Sequence, residues 1–345
     1  MDHPTRPVLA VLLLAATGCA TSVRLAYTPA ELRDEVARRG VPRAAAVIPH
    51  ELDESHLAWA RALPDSTPGE ADRVQAITEA LFSPDGLGLR YQDGVSTTAR
   101  ETIEGHAGNC LGLASVFIGL ARAAGLRAYY MDASVRASET RQGADDVAVN
   151  SGHVTAVVQL NDKTVGLDFG RLGPVRWYRV LDDVEALAHF YNNRGFERIQ
   201  RAGADSAEAW RAAEPDFRLA VQVMPELGRA WNNLGLAAVR QGRQEEAIRA
   251  YRAAILRDPT LAAPWNNLGS LHLHLGKLAE AEEDLMAAAR LDPTASHIQY
   301  NLAVVRMERG DREGAARALR RALVLRADYP AARALLARLD PAPRR

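Results

Sequence analysis

The chain is poor in cysteine, in lysine, in net charge and in apolar runs long enough to cross a membrane. Two cysteines, Cys19 and Cys110, are too few for a disulfide-stapled fold. Among 42 Lys+Arg, lysine occurs only as Lys163 and Lys277, and 43 acidic residues bring the net charge to -1. A dedicated nucleic-acid binder normally carries a basic surplus, so no nucleic-acid partner is expected. No tight cysteine or histidine spacing suggests a metal, and Asp145-Asp146 is too sparse for a calcium cage, so no cofactor is expected. The apolar run from Val8 to Ala16 (VLAVLLLAA) falls well short of the roughly 20 residues that span a bilayer. What is present is an ordinary globular composition, 48% hydrophobic and 25% charged, over 345 residues, which leaves room for two or three domains.

Arg6 precedes the apolar run and small residues follow it, the layout of an export leader. The run ends in Ala16-Thr17-Gly18-Cys19, which resembles the lipobox of bacterial lipoproteins. That resemblance implies a leader over 1–18, lipidation of Cys19 and a membrane anchor. With Ala20 after the cysteine it also implies the periplasmic face of the outer membrane. Cys110 would then be the one thiol of the mature chain, with no intramolecular partner to oxidise to. In an oxidising compartment such a thiol is buried or used.

Residues 19–45 read as a tether leading into a first helix (PAELRDEVARRG). Residues 70–83 have helical periodicity and stop at Pro84, Gly86 and Gly88, and 84–108 read as irregular. From Leu111 to Ala124 the chain is apolar or small on nearly every side and closes on Gly125, the pattern of a buried helix. Three strands follow at 127–133, 153–160 and 164–169, with a tight turn at Asn161-Asp162. The polar stretch 134–152 reads as an exposed loop.

The C-terminal part repeats with a period of 34: Trp231-Asn232-Asn233-Leu234-Gly235 returns as Trp265-Asn266-Asn267-Leu268-Gly269. Ala247, Tyr251, Ala254 and Pro259 return as Ala281, Leu285, Ala288 and Pro293, and a third copy keeps Leu302, Ala303, Gly310, Ala315, Leu319 and Ala322. Within each copy these positions share helix faces whose small residues permit close approach of a helix pair. The pattern over 228–329 resembles the tetratricopeptide repeat family. An irregular first copy is read at 188–227, then copies at 228–261, 262–295 and 296–329, and a capping helix at 330–339. Asn193, Asn233, Asn267 and Asn301 occupy one position in successive copies. Aligned as a ladder, they have the donors and acceptors to hold the backbone of a protein or peptide partner, or equally to tie neighbouring helices together.

Cys110 sits in Gly108-Asn109-Cys110-Leu111-Gly112 at the head of the buried helix, where unpaired N–H groups favour a thiolate and can hold an oxyanion. His153 opens one strand and Asp168 closes the next. The tight turn between them brings the two near each other across the ladder. A carboxylate orienting an imidazole that holds a thiol is a nucleophilic triad. Asp132 and Asp182 are alternative orienters should the register differ, and Tyr91 and His106 are candidates for a further oxyanion donor.

Residues 96–169 resemble the transglutaminase-like cysteine hydrolase superfamily, whose papain-like core orders its triad Cys, His, Asp. GNCLGLASVFIGLARAAGLRAYYM is similar to the family's nucleophile helix and following strand, and SGHVTAVVQL and VGLDFG to its His and Asp strands. The resemblance implies an α+β domain over 46–185, a nucleophile helix packed on antiparallel strands, ahead of an all-α repeat region over 186–340. It implies Cys110 as nucleophile, His153 as general base and then acid, and Asp168 as orienter. Leu111 stands where cross-linking members often carry tryptophan, and Val154-Thr155 where many members carry Ala-Trp, which points to amide hydrolysis or acyl transfer to a small amine rather than cross-linking. The alternative is an inactive scaffold that works through its repeats as an assembly factor.

Overall fold

The computed structural model describes residues 10–14, 24–94, 96–133, 139–142, 147–150, 153–161, 163–169, 178–203 and 206–339. Two compact units divide the chain. The first comprises Met1–Ser138, Ser151–Gly203 and Ala212–Pro225, the second Glu139–Asn150, Ala204–Arg211 and Glu226–Arg345.

In the first unit the elements run β1 (Ala10–Leu14), α1 (Pro29–Arg38), α2 (Glu54–Ser66), α3 (Glu70–Phe82), β2 (Arg90–Tyr91), α4 (Ala99–Glu104), β3 (Ala107–Gly108), α5 (Cys110–Ala123) and β4 (Arg127–Asp132). After β5 (Glu139–Gln142) and β6 (Val147–Asn150), which group with the second unit, the first unit resumes with β7 (Val154–Gln159), β8 (Thr164–Asp168), β9 (Arg179–Leu181) and α6 (Asp183–Ala202). Its main sheet is antiparallel with strand order β1-β8-β7-β4-β9.

α5 is buried on every face because it is the middle layer. It packs on β4 and β7 on one side and against α2, α3 and α4 on the other. Two glycines make that fit. A Cβ on Gly119 would stand 2.7 Å from the His50 carbonyl oxygen, and one on Gly112 would meet the hydroxyls of Thr97 and Thr102 at 2.8 Å. Gly125 ends the helix with φ +77, a conformation in which any other residue is strained. The β7–β8 turn closes through Leu160 N–H donating to the Lys163 carbonyl at 2.8 Å, which fixes Ala156 opposite Leu167 and Gln159 opposite Thr164. At the far end of α5, Arg122 grips Asp183, the first residue of α6, with two bonds of 2.7 and 2.8 Å.

Three readings differ from the structure, and a fourth segment gains a second assignment. The apolar run read as a leader contributes β1, which pairs with β8 from Ala10 opposite Asp168 to Leu14 opposite Thr164. An extended leucine-rich segment there completes the hydrogen bonds that the outer side of β8 would otherwise leave open. The stretch 84–108 is not wholly irregular: Thr98 and Glu101 form a reciprocal capping box that starts α4. Within 134–152, β5 and β6 form an antiparallel hairpin, and its four-residue strands are too short for alternation to stand out from polar surroundings. The irregular first repeat copy contributes α6 and most of α7 (Ala207–Val223) to the first unit, where the Tyr191 hydroxyl accepts the Val47 N–H at 3.1 Å.

The second unit is built on paired helices: α8 (Gly228–Val239) with α9 (Gln244–Arg257), α10 (Ala262–His274) with α11 (Leu278–Leu291), and α12 (Ser296–Glu308) with α13 (Arg312–Leu325), ending in α14 (Pro330–Leu339). β6 lies against α8 and α10. The repeated glycine is the contact point of each pair. A Cβ on Gly235 would stand 2.6 Å from the Tyr251 ring, and one on Gly269 would stand 2.8 Å from Leu285. His272 is buried and its Nδ1 lies 2.7 Å from Asp284 Oδ2, a packing role.

Candidate active site

Cys110 is the first residue of α5, and its side chain is buried. Asn109 caps the helix, its Oδ1 accepting the Gly112 N–H at 3.0 Å. Apart from the Gly112 N–H that Asn109 takes, the N–H groups of the first turn have no carbonyl partner within the helix. His153 precedes β7 by one residue, and its carbonyl accepts the Ala133 N–H at 2.9 Å, which holds the residue against the end of β4. Asp168, 1% exposed, ends β8. His153 Nε2 and Asp168 Oδ1 are 3.3 Å apart, and the same imidazole lies near enough to Cys110 for the thiol to act on its pKa. The three residues proposed from the sequence therefore lie together, with the imidazole near both the thiol and the carboxylate.

Burial by itself would lower the His153 pKa. The hydrogen bonds to Asp168 and Cys110, and the charges of both, outweigh it and hold the imidazole at about 10. The ring is thus built to carry a proton at neutral pH. Of the alternative orienters, Asp182 is spent elsewhere, capping α6 in a reciprocal box with Glu185. The two upstream candidates also separate. His106 is exposed and its Nδ1 bonds the Leu87 carbonyl at 2.9 Å. Tyr91 is half-buried on β2, opposite Gly108, and close enough to feel the Cys110 and Asp168 charges. Burial, its bond to Asp93 at 2.5 Å and those charges raise its pKa, so the phenol stays protonated.

Asn193, Asn233 and Asn267 are buried, and Asn301 is half-buried. Asn267 donates to Asn232 Oδ1 and Asn301 to Asn266 Oδ1, each at 2.9 Å, so the ladder in the second unit bonds repeat to repeat. Asn233 is fully buried on α8, and Asn193 is buried on α6 in the first unit. Cys19, Asp145 and Asp146 lie outside the described residues. The sequence reading missed Ser96 and Glu197, which surround Asn109 beneath the head of α5. A signal for Glu197 existed: it falls seven residues after Phe190, on the buried face of α6, where a carboxylate needs a partner.

A profile of the transglutaminase-like superfamily matches residues 58–180, and a profile of the tetratricopeptide repeat matches 203–262 and 234–296. The chain carries a transglutaminase-like domain followed by tetratricopeptide repeats. No curated protein matches it. Among solved structures, it is similar to the pilF protein of Pseudomonas aeruginosa at 23% identity, covering 44% of this chain and 67% of that one with a TM-score of 0.41. It is also similar to YrrB, described as a TPR protein with an unusual peptide-binding site, at 20% identity over 44% of this chain and 79% of that one, with a TM-score of 0.37. A third is the first TPR of Spaghetti (RPAP3) bound to an HSP90 peptide, at 24% identity over 33% of this chain and 90% of that one, with a TM-score of 0.32. The transglutaminase-like domain holds the Cys110 constellation, and the repeats fill most of the second unit.

Proposed function

We propose that the transglutaminase-like domain is a thiol hydrolase of amide bonds, peptide or isopeptide, carried by a lipid-anchored envelope protein whose repeats recruit a protein or peptide. The observation that carries the catalytic part is His153 3.3 Å from Asp168 and close enough to Cys110 for the thiol to act on the imidazole's pKa. In this reading the Cys110 proton passes to His153, and Asp168 steers the ring and stabilises the imidazolium. The sulfur attacks the amide carbon, and the oxyanion that forms faces the first-turn N–H groups of α5 that Asn109 leaves open. Collapse breaks the C–N bond, and His153 returns the proton to the leaving amine. Water, deprotonated by His153, then attacks the thioester, releasing the acid and restoring the thiol.

Alkylation of Cys110 tests this. Iodoacetamide should label it faster than a free cysteine at mildly acidic pH, and His153→Ala should slow the labelling by about tenfold or more. Slow labelling of the wild type that is indifferent to His153 would exclude the hydrolase. It would leave the scaffold reading, which the residues Leu111 and Val154 favour. The anchor rests on the Ala16-Thr17-Gly18-Cys19 pattern, and mass spectrometry of the exported chain for an acylated Cys19 tests that part separately.

A further inference from the structure

One buried carboxylate faces the head of α5 and takes no part in the chemistry above. Glu197, on α6, is 5% exposed. Its Oε2 accepts the Ser96 backbone N–H. Its Oε1 accepts the Ser96 hydroxyl at 2.8 Å and the Asn109 side-chain amide at 2.9 Å. Asn109 Nδ2 also donates to Ser96 Oγ at 2.9 Å, while its Oδ1 accepts the Gly112 N–H at 3.0 Å. Ser96 and Asn109 are buried as well, so bulk water does not compete for these bonds.

We propose that Glu197 is a positioning residue for the nucleophile: it dictates which way the Asn109 amide faces, and through that cap it holds the turn that carries Cys110. The inference rests on the thiol reading above. Its logic is one of donors and acceptors. The Ser96 N–H and the Asn109 NH₂ are donors only, and the two Glu197 oxygens stand opposite them as acceptors. Facing that carboxylate, Asn109 presents its NH₂ and is left with its oxygen toward the helix. A flipped amide would set oxygen against Glu197 and N–H against Gly112 N–H, two mismatches in one buried place. A residue 88 positions along the chain thereby sets the polarity of the cap beside the thiol.

Exchanging donor and acceptor tests it. Asn109→Asp puts two carboxylates face to face, and Glu197→Gln turns an NH₂ toward a donor. The double variant restores the match with the total charge unchanged. Its carboxylate, now on the helix cap, would accept from both the Gly112 N–H and the glutamine NH₂, while the glutamine oxygen accepts from Ser96. Iodoacetamide labelling of Cys110 should slow about tenfold in each single variant and return to within about threefold of wild type in the double. Hydrogen exchange at the Gly112 amide should follow the same order: protected in the wild type, exposed in each single variant, protected in the double. A merely space-filling Glu197 would show no such rescue. Where a single variant fails to fold, recovery of folding and labelling in the double carries the same meaning. Wild-type labelling and Gly112 protection in both single variants, or a double variant no better than the singles, would overturn the proposal. If the wild-type thiol itself labels like a free cysteine, the hydrolase reading fails on that result, and Gly112 exchange still decides the role of Glu197.

Discussion

Burial alone pulls a histidine toward its neutral form. His50 shows the effect: burial, reinforced by Arg122 and only partly opposed by Asp183, takes it to about 4. His153 reverses it, because the bonds to Asp168 and Cys110 outweigh burial and the ring rises to about 10. The two have opposite consequences for stability. A depressed pKa gives His50 a contribution present above its unfolded value near 6.5 and lost as pH falls toward about 4. A raised pKa gives His153 a contribution present below 6.5 and lost as pH rises through about 10. Denaturant midpoints measured along a pH series should therefore fall on both sides of neutrality. His50→Asn should flatten the acid side only, and His153→Ala the alkaline side only. If His153→Ala leaves the alkaline side unchanged, the imidazole does not hold its proton through neutrality. At this scale the meeting of Cys110, His153 and Asp168 was legible, because one two-residue turn sets the register that brings His153 to Asp168, and a glycine-closed helix presents the thiol. The burial of Glu197 was legible from its place seven residues after Phe190, but its partner was not, because nothing local points to a residue 88 positions earlier.

Among elements, legibility tracked length and punctuation. α3, α5, β4, β7 and β8 were readable from period and from their proline or glycine stops. α2 was not, because Pro64 lies inside it, and α4 has only six residues. The helix pairs of the repeats were readable because a 34-residue period states each contact twice. The asparagine ladder is where two readings of one element part. Asn267 is buried and donates across the repeat boundary to Asn232, so its first duty is to hold neighbouring helices together. Asn267→Ala removes that donor and leaves a buried carbonyl oxygen without it, at a cost of about 1–3 kcal/mol. Calorimetry of the full chain should show the loss in the transition of the repeat region. A variant that keeps its stability but no longer binds a peptide that the wild type binds would instead make the ladder a reading surface.

Across the whole molecule, the N-terminal run has two assignments that compete for the same residues. As β1 it covers the outer side of β8, and as a leader ending at Gly18 it would be removed with everything before Cys19. A chain beginning at Cys19 would keep the β7–β8 ladder, since those bonds lie on the inner side, but would turn β8 into an edge. Edge strands expose a row of unpaired backbone groups that pair with other chains unless something blunts them. Hydrogen exchange compared between residues 1–345 and 19–345 separates the two states. Alternate amides along Thr164–Asp168 should lose protection in the shorter chain, while those bonded to β7 keep it. Should every β8 amide exchange alike in both chains, β1 does not hold this edge in solution, and the run is free to serve export alone.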